Sequence, residues 1–528
     1  MKTDCYPISI LPRLSKLFVD YAASREPLRP FYAAAPYGQV WAKPEGDAGS
    51  YAEIADLLEK QNRRFGASEA TLKNIEKLRE GAAAILTGQQ VTLFGGPLFT
   101  LLKAATAIRK AKDAGAVPIF WLATEDHDLA EADHVTLPSR HALQRLRLEH
   151  AAEDEGKPVG SVKLGPGIDG LIDEAVELLG PGDEVEKLVA AYKPEATYAE
   201  AFGRFLSAVF ADQGLIMIDA AGREFHRLGA PVLRAAIERA AELENLLLER
   251  TKLLEERGYV AQVLVTKGGS LLFLIDDETG ERLALKRKDD GSWTAGKNQY
   301  STVDLLGILE SEPERLSPNA LLRPVFQDAI LPTAAYVGGP AEIAYFAQSE
   351  VLYEAVLGRV TPVPPRLSAT LVEPAIAKVM AQHEVSLPDL IAMQPDELAQ
   401  RLGARSMPIE GKQKLAAAGN ALDEELKSVT EWMGRLDAEL GKSAEVAANK
   451  MRYQMDRLRR LAANYQLRKE ASLRKHVDAL YLNLLPEQHP QERVIGAAAF
   501  LAKCGEGLVA QLVDIAEQEC PGHKVVFL

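Results

Sequence analysis

The densest set of ionisable groups in the chain is Glu125-Asp126-His127-Asp128. In extended backbone Asp126 and Asp128 share one side, and Glu125 and His127 the other. An imidazole beside carboxylates suits general-base work, because a carboxylate orients the ring and favours its charged form. The same residue types suit a hard cation such as Mg or Mn, although no second cluster supplies the remaining ligands. They also suit a structural role, since acidic loops cap neighbouring helices. The residues alone leave base or substrate contact, metal and cap open. We take Asp126, His127 and Asp128 as catalytic candidates and Glu125 as a binding candidate, and assign no metal ligand.

These groups follow an apolar run, 117–123, that reads as a buried strand. An earlier run, Ala82-Ala83-Ala84-Ile85-Leu86, reads as another and ends in polar Thr87-Gly88-Gln89-Gln90. A loop closes with Gly95-Gly96-Pro97, and a helix follows with Leu98, Leu101, Leu102, Ala105 and Ile108 on one face. Pro97 fits the first helical position, where its missing donor costs nothing. Gly95 and Gly96 would let a ligand approach the backbone, and the helix start favours an anion. A plain connecting turn is the alternative, because the pattern is neither Gly-x-Gly-x-x-Gly nor a P-loop. The unit is strand–loop–helix–strand, with its polar groups at the strand ends, where open α/β sheets bind ligands.

The pattern recurs. A strand at 332–337 leads to Gly338-Gly339-Pro340, a helix over 341–357 and a last strand at 367–372. Two such helix starts on one pocket would hold an anion better than one; chance recurrence is the alternative. The binding candidates are therefore Thr87, Gly88, Gln89, Gln90, Gly95, Gly96, Gly338, Gly339 and Glu342. Arg323 and Arg366 join them, since either guanidinium can clamp a carboxylate or phosphate with two parallel bonds.

The rest of the chain positions these parts. Residues 1–80 read as an N-terminal helical arm, and 81–258 as the first part of an α/β core. That part includes a third strand at 214–219 and one long helix over 223–258. Residues 259–314 form an inserted subdomain with short antiparallel strands at 260–265, 271–275 and 282–287. The second part of the core spans 315–400. In 410–485, Leu422, Leu426, Val429, Met433, Leu436 and Leu440 step by four and three. Gly441-Lys442-Ser443 breaks that helix, with Ser443 as the next cap, and Met451, Met455, Leu458, Ala462 and Tyr465 repeat the stepping. Two antiparallel helices with such seams make a coiled coil, and a projecting arm of this kind is a natural homodimer contact. Residues 486–528 pack back on the core, with a terminal strand at 524–528 docking on the main sheet.

At 528 residues the chain is too long for one core, and its 47% apolar content is enough for several. A net charge of −14 argues against nucleic acid as the main partner. No apolar run is long enough to span a bilayer, and residues 1–7 lack the apolar core of a signal peptide. Cys5, Cys504 and Cys520 show neither a disulfide framework nor zinc spacing, which fits a reducing cytoplasm.

Several of these motifs, taken together and in this order, resemble one family. They are Thr87-Gly88-Gln89-Gln90 with Gly95-Gly96-Pro97-Leu98-Phe99-Thr100; Pro118-Ile119-Phe120-Trp121 with Glu125-Asp126-His127-Asp128-Leu129; and Arg323-Pro324 through Gly338-Gly339-Pro340-Ala341-Glu342-Ile343-Ala344-Tyr345. The sequence resembles the bacillithiol-biosynthesis cysteine ligases, the BshC family, over essentially its whole length. The resemblance implies a Rossmann-like parallel-sheet core with connecting insertions, a C-terminal α-helical antiparallel coiled coil, and a dimer. It implies that L-cysteine is joined through its carboxyl group to the amino group of glucosaminyl-malate. Amide formation of this kind needs an activated carboxylate, so ATP is the implied adenine-nucleotide co-substrate. The core is similar to that of class I adenylating enzymes. This chain lacks their His-x-Gly-His and Lys-Met-Ser-Lys-Ser motifs, and Thr87–Gln90 stands in the comparable place.

The expected site lies between 87–97, 125–128 and 338–342. There the helix starts hold phosphate or malyl carboxylate, Asp126 or His127 takes a proton from the amine, and Arg323 binds carboxylate. The alternative is a non-catalytic nucleotide-binding module whose coiled coil drives assembly.

Overall fold

Four parallel strands carry the most apolar runs of the chain. In a computed structural model, which describes residues 2–38, 41, 48–505, 507–517 and 520–528, they are Ala84–Gln89, Val117–Leu122, Ile216–Asp219 and Thr333–Tyr336. They lie in the order Thr333–Tyr336, Ala84–Gln89, Val117–Leu122, Ile216–Asp219. All three pairings are parallel. Successive strands step outward on one side, and the fourth returns to the other side of the first. The order therefore reverses between Ala84–Gln89 and Thr333–Tyr336, the place where open α/β sheets form a ligand crevice.

The helix Phe99–Ala114 makes the first crossover and ends at Gly115, which takes a left-handed conformation. The strand Ile216–Asp219 is one edge of the sheet order. The helix Ala48–Phe65 covers it with side-chain amides. Asn62 donates to the Met217 carbonyl at 2.8 Å and accepts from its N–H at 2.9 Å, and Gln61 does the same for Asp219. Edge groups that could pair with another chain are thus satisfied internally.

The insertion is a five-stranded antiparallel sheet in the order Asn298–Tyr300, Trp293–Ala295, Arg282–Arg287, Gly269–Ile275, Leu316–Pro318. The strand expected at 260–265 is absent. Val260 and Leu264 are 85% and 86% exposed, and the segment is pinned instead by the Gln348 amide to both backbone groups of Val263. The long helix expected over 223–258 is two, Arg223–Glu238 and Ala240–Glu256. The break is at Arg239, which leaves helical geometry and bonds Glu242 and the Ala355 carbonyl. The terminal strand does not join the main sheet: Gly522–Phe527 lies between Lys2–Pro7 and Ala369–Val372 in a separate three-stranded sheet. Cys5 and Cys520 are joined as a disulfide, contrary to the expectation of none, because this sheet brings the two ends of the chain together.

The chain divides into two compact units. One is Thr3–Thr370 with His489–Val526, and the other centres on Leu371–Gln488. The second unit holds the helical hairpin Ile409–Leu436 and Ala438–Lys469. Its break falls at Asp437 rather than at 441–443. The Asp437 carboxylate caps the N–H groups of Glu439 and Leu440, and Gly434 and Gly441 let the two helices meet closely near the tip. Leu426, Ala448, Met455 and Ala463 are buried in the hairpin. No helix among the described residues is long and apolar enough to cross a membrane.

Candidate functional site

A cavity of about 360 Å³ opens at the carboxyl ends of the parallel strands, where the strand order reverses. The first strand contributes Gly88, Gln89 and Gln90; the second leads into Trp121, Glu125 and Asp126; the fourth contributes Tyr336 and, beyond it, Gly339 and Glu342. Arg323 and Arg366 also line it. The fold therefore gathers nine of the fifteen candidate residues around one space: Gly88, Gln89, Gln90, Glu125, Asp126, Arg323, Gly339, Glu342 and Arg366. No side chain fits at Gly88, where a Cβ would stand 2.8 Å from the Trp121 carbonyl oxygen and 3.4 Å from the Tyr336 hydroxyl.

The other six lie outside the lining, for identifiable reasons. Thr87 is buried and donates to the Val337 carbonyl at 2.9 Å, tying two strands together. Gly95 and Gly96 have φ of +80° and +64°, and their free faces are already occupied. A Cβ at Gly95 would lie 2.3 Å from the Phe205 ring, and one at Gly96 2.4 Å from the Thr92 hydroxyl. Ile495 and Ala497 close this turn through the N–H of Leu98 and the carbonyl of Gly96. The first helix start is therefore packed with protein, and the helix begins at Phe99 rather than at Pro97. Gly338 is spent on a parallel bridge to Pro365. Asp128 caps the short helix Leu129–Ala132, accepting from the Glu131 N–H at 3.1 Å. His127 turns its Nδ1 to the Arg282 guanidinium at 3.3 Å and its ring to Phe273.

The second helix start does border the cavity, but it already holds an anion. Glu342, in the first turn of Pro340–Leu357, accepts from the Gly339 N–H at 2.6 Å and the Tyr336 hydroxyl at 2.5 Å, and pairs with Lys103 at 2.5 Å. Burial favours the neutral acid, yet these partners outweigh it and hold Glu342 below the ordinary carboxylate range. Lys103 is almost fully buried and also donates to the Gly88 carbonyl and the Gln89 side chain. Among the described residues Arg323 bonds neutral groups alone, Tyr345 Oη at 2.9 Å and Gln327 Oε1 at 3.1 Å, and lies over the Tyr336 ring. Arg366 is not a free clamp: its guanidinium pairs with buried Glu492 at 2.7 Å.

The acidic corner is built by backbone and by a buried histidine. Asp126 folds onto its own loop, accepting from the N–H groups of His127 and Asp128, while its carbonyl accepts from Val159. Glu125 faces Nε2 of the fully buried His226 at 2.8 Å. Burial disfavours charge on that ring. The Glu125 carboxylate and the Pro313 and Leu316 carbonyls overcome this and raise its pKa.

Four charged lining residues escaped sequence reasoning. Lys103 hides on the buried face of a helix, and Arg282 sits in the inserted sheet. Glu131 follows the acidic cluster by one turn, and its carboxylate makes no hydrogen bond or ion pair among the described residues. Arg493 arrives from 370 residues beyond Ala123, on the helix Gln491–Val494, and its guanidinium meets no partner among the described residues. Gln90 is 5% exposed, and neither atom of its amide is hydrogen-bonded among the described residues. Among the described residues no three His, Cys, Asp or Glu are grouped as a metal ligand set.

Comparison with known proteins decides the family. Residues 1–367 match the model described as "Bacillithiol biosynthesis BshC, N-terminal Rossmann-like domain", and residues 369–528 match "Bacillithiol biosynthesis BshC, C-terminal coiled-coil domain". The chain belongs to the BshC family. It is 42% identical to a protein of Koribacter versatilis (strain Ellin345) and 34% identical to one of Solibacter usitatus (strain Ellin6076), each alignment covering all of both chains. A Lysinibacillus sphaericus (strain C3-41) protein is 26% identical over 98% of this chain and 99% of its own. All three bear the name "Putative cysteine ligase BshC". The parallel sheet and the helical hairpin are the Rossmann-like and coiled-coil parts of this BshC chain. The tail His489–Val526, within the coiled-coil match, packs with the Rossmann-like unit.

Proposed function

We propose that this chain is a cysteine ligase of bacillithiol biosynthesis, joining the carboxyl group of L-cysteine to the amino group of glucosaminyl-malate in an ATP-dependent amide synthesis. Full-length relationship to proteins bearing the cysteine ligase name supports the reaction class. The observation that carries the site is the charge balance of the cavity. Five cationic side chains and four carboxylates line it; Glu125 is matched by His226 and Arg366 by Glu492, which leaves four cations against three carboxylates. The surplus positive charge suits an anionic ligand, either the malyl carboxylates or a nucleotide phosphate.

Arg282, Arg323 and Arg493 have no carboxylate partner among the described residues; Arg282 is spent on Ser317, Pro318 and His127, and Arg323 and Arg493 hold the anionic part of the substrate. Gln90, with an amide free to donate and accept, orients a polar group of the substrate. ATP supplies the activation that a free carboxylate lacks, and the same arginines are the groups its phosphates would meet. The chain acts in the cytoplasm as a homodimer. Trp432 and Leu436 on one hairpin helix, with Leu440, Leu458 and Leu461 on the other, are exposed apolar residues that support self-association.

The test is direct. Purified protein given cysteine, glucosaminyl-malate and ATP forms the cysteinyl amide, read by mass spectrometry, and omission of ATP abolishes it. Nucleotide binding without product would reject the ligase reading. Sedimentation at micromolar concentration reports the dimer.

A further inference from the structure

Four carboxylates line the cavity, and three of them are engaged. Glu125 faces His226, Glu342 is held by Lys103, Tyr336 and Gly339, and Asp126 is drawn back onto the N–H groups of its own loop. Glu131 alone has neither hydrogen bond nor ion pair through its carboxyl among the described residues. Its backbone is nonetheless fixed, because the Asp128 carboxylate accepts its N–H at 3.1 Å on the helix Leu129–Ala132. The site thus offers one carboxylate that is positioned, unshared and open to a ligand. We propose that Glu131 is the proton acceptor for the attacking amine. This rests on the ligase reading and reassigns a role that sequence alone gives to Asp126 or His127.

The chemistry balances as follows. The acceptor amine arrives largely as ammonium and has no lone pair to attack with. One N–H proton passes to the Glu131 carboxylate and on to solvent, and a second leaves the nitrogen for the same carboxylate as the adduct collapses to the neutral amide. The freed lone pair forms the C–N bond at the carboxyl carbon of cysteine, which the nucleoside triphosphate has made reactive. The phosphoryl-bearing oxygen leaves with the electron pair of the broken C–O bond. The surroundings of Glu131 favour this use. Crowding by the cavity wall and the nearby carboxylates of Asp126 and Asp128 raise its proton affinity, with Lys103 pulling the other way. A base whose proton affinity is raised is a better acceptor than an ordinary carboxylate.

The experiment compares wild type, Glu131→Gln and Glu131→Asp in the amide-forming assay across pH. Glu131→Gln is expected to lower kcat by about 100-fold or more, the usual contribution of general-base catalysis. KM for both substrates stays within about threefold, and the acid limb of the kcat/KM profile disappears. Glu131→Asp restores part of kcat and the limb. Wild-type kcat in Glu131→Gln, or a loss confined to KM, overturns the assignment. Absence of product with the wild type overturns the ligase reading and this role with it. Unchanged urea unfolding of both variants ties the loss to chemistry rather than to folding.

Discussion

Arg493 brings a guanidinium into a cavity where most other charges have partners. Crowding and the neighbouring Arg366 disfavour its charge, and Glu492 opposes them, so its pKa falls below the ordinary value. An anionic ligand would relieve that tension. Replacing Arg493 with Ala is expected to raise KM for the anionic substrate by roughly 10–100-fold, the worth of a charge-assisted hydrogen bond, with a smaller change in kcat. Initial-rate kinetics check this, and Arg493→Lys should recover part of the loss. The strand-end residues Gly88 to Gln90 and Glu125-Asp126 were legible in the sequence, because apolar runs fix where strands stop. Arg493 was not: Gln491-Glu492-Arg493 reads as ordinary surface, and only the folded tail shows what it reaches. Gly95 and Gly96 stand outside the cavity lining, which the sequence does not show for a related reason. A glycine pair before a helix looks the same in sequence whether a ligand or a phenyl ring fills the space.

At the level of elements, small polar devices decide which pieces stay together. Asn62, fully buried, supplies a donor and an acceptor to Met217 on the sheet edge. Asn62→Leu keeps the volume but strands two buried backbone groups, and is expected to cost about 2–4 kcal/mol in urea unfolding. The three-stranded sheet has its own device. His523 bonds Ser368 and Thr370 at 2.8 Å each, beside the buried Arg366–Glu492 pair. Burial pushes its imidazole down to about 4, aided by Arg366 and opposed by Glu492. The native state then binds fewer protons than the unfolded chain between pH 6.5 and 4. Stability from this group is full above pH 6.5 and is lost as pH falls toward 4, by about 3 kcal/mol. Unfolding of wild type and His523→Gln at pH 7, 6, 5 and 4 measures it as a difference that shrinks with acid. The strands of the main sheet and the hairpin helices could be read from periodicity. The break at Arg239 and the loss of a strand at 260–265 could not, because distant partners, Ala355 and Gln348, decide them.

For the molecule as a whole, the family match divides the chain near residue 368, whereas packing assigns His489–Val526 to the Rossmann-like unit. That tail carries Glu492, the buried counter-ion of Arg366, together with Arg493, and it supplies the central strand of the sheet that begins with Lys2–Pro7. A chain ending at residue 486 is expected to make no amide product and to unfold earlier than the intact protein, checked by assay and thermal melt. During synthesis the cavity wall cannot be finished until the segment that carries Arg493 has left the ribosome. Nascent chains that stop short of it are therefore silent.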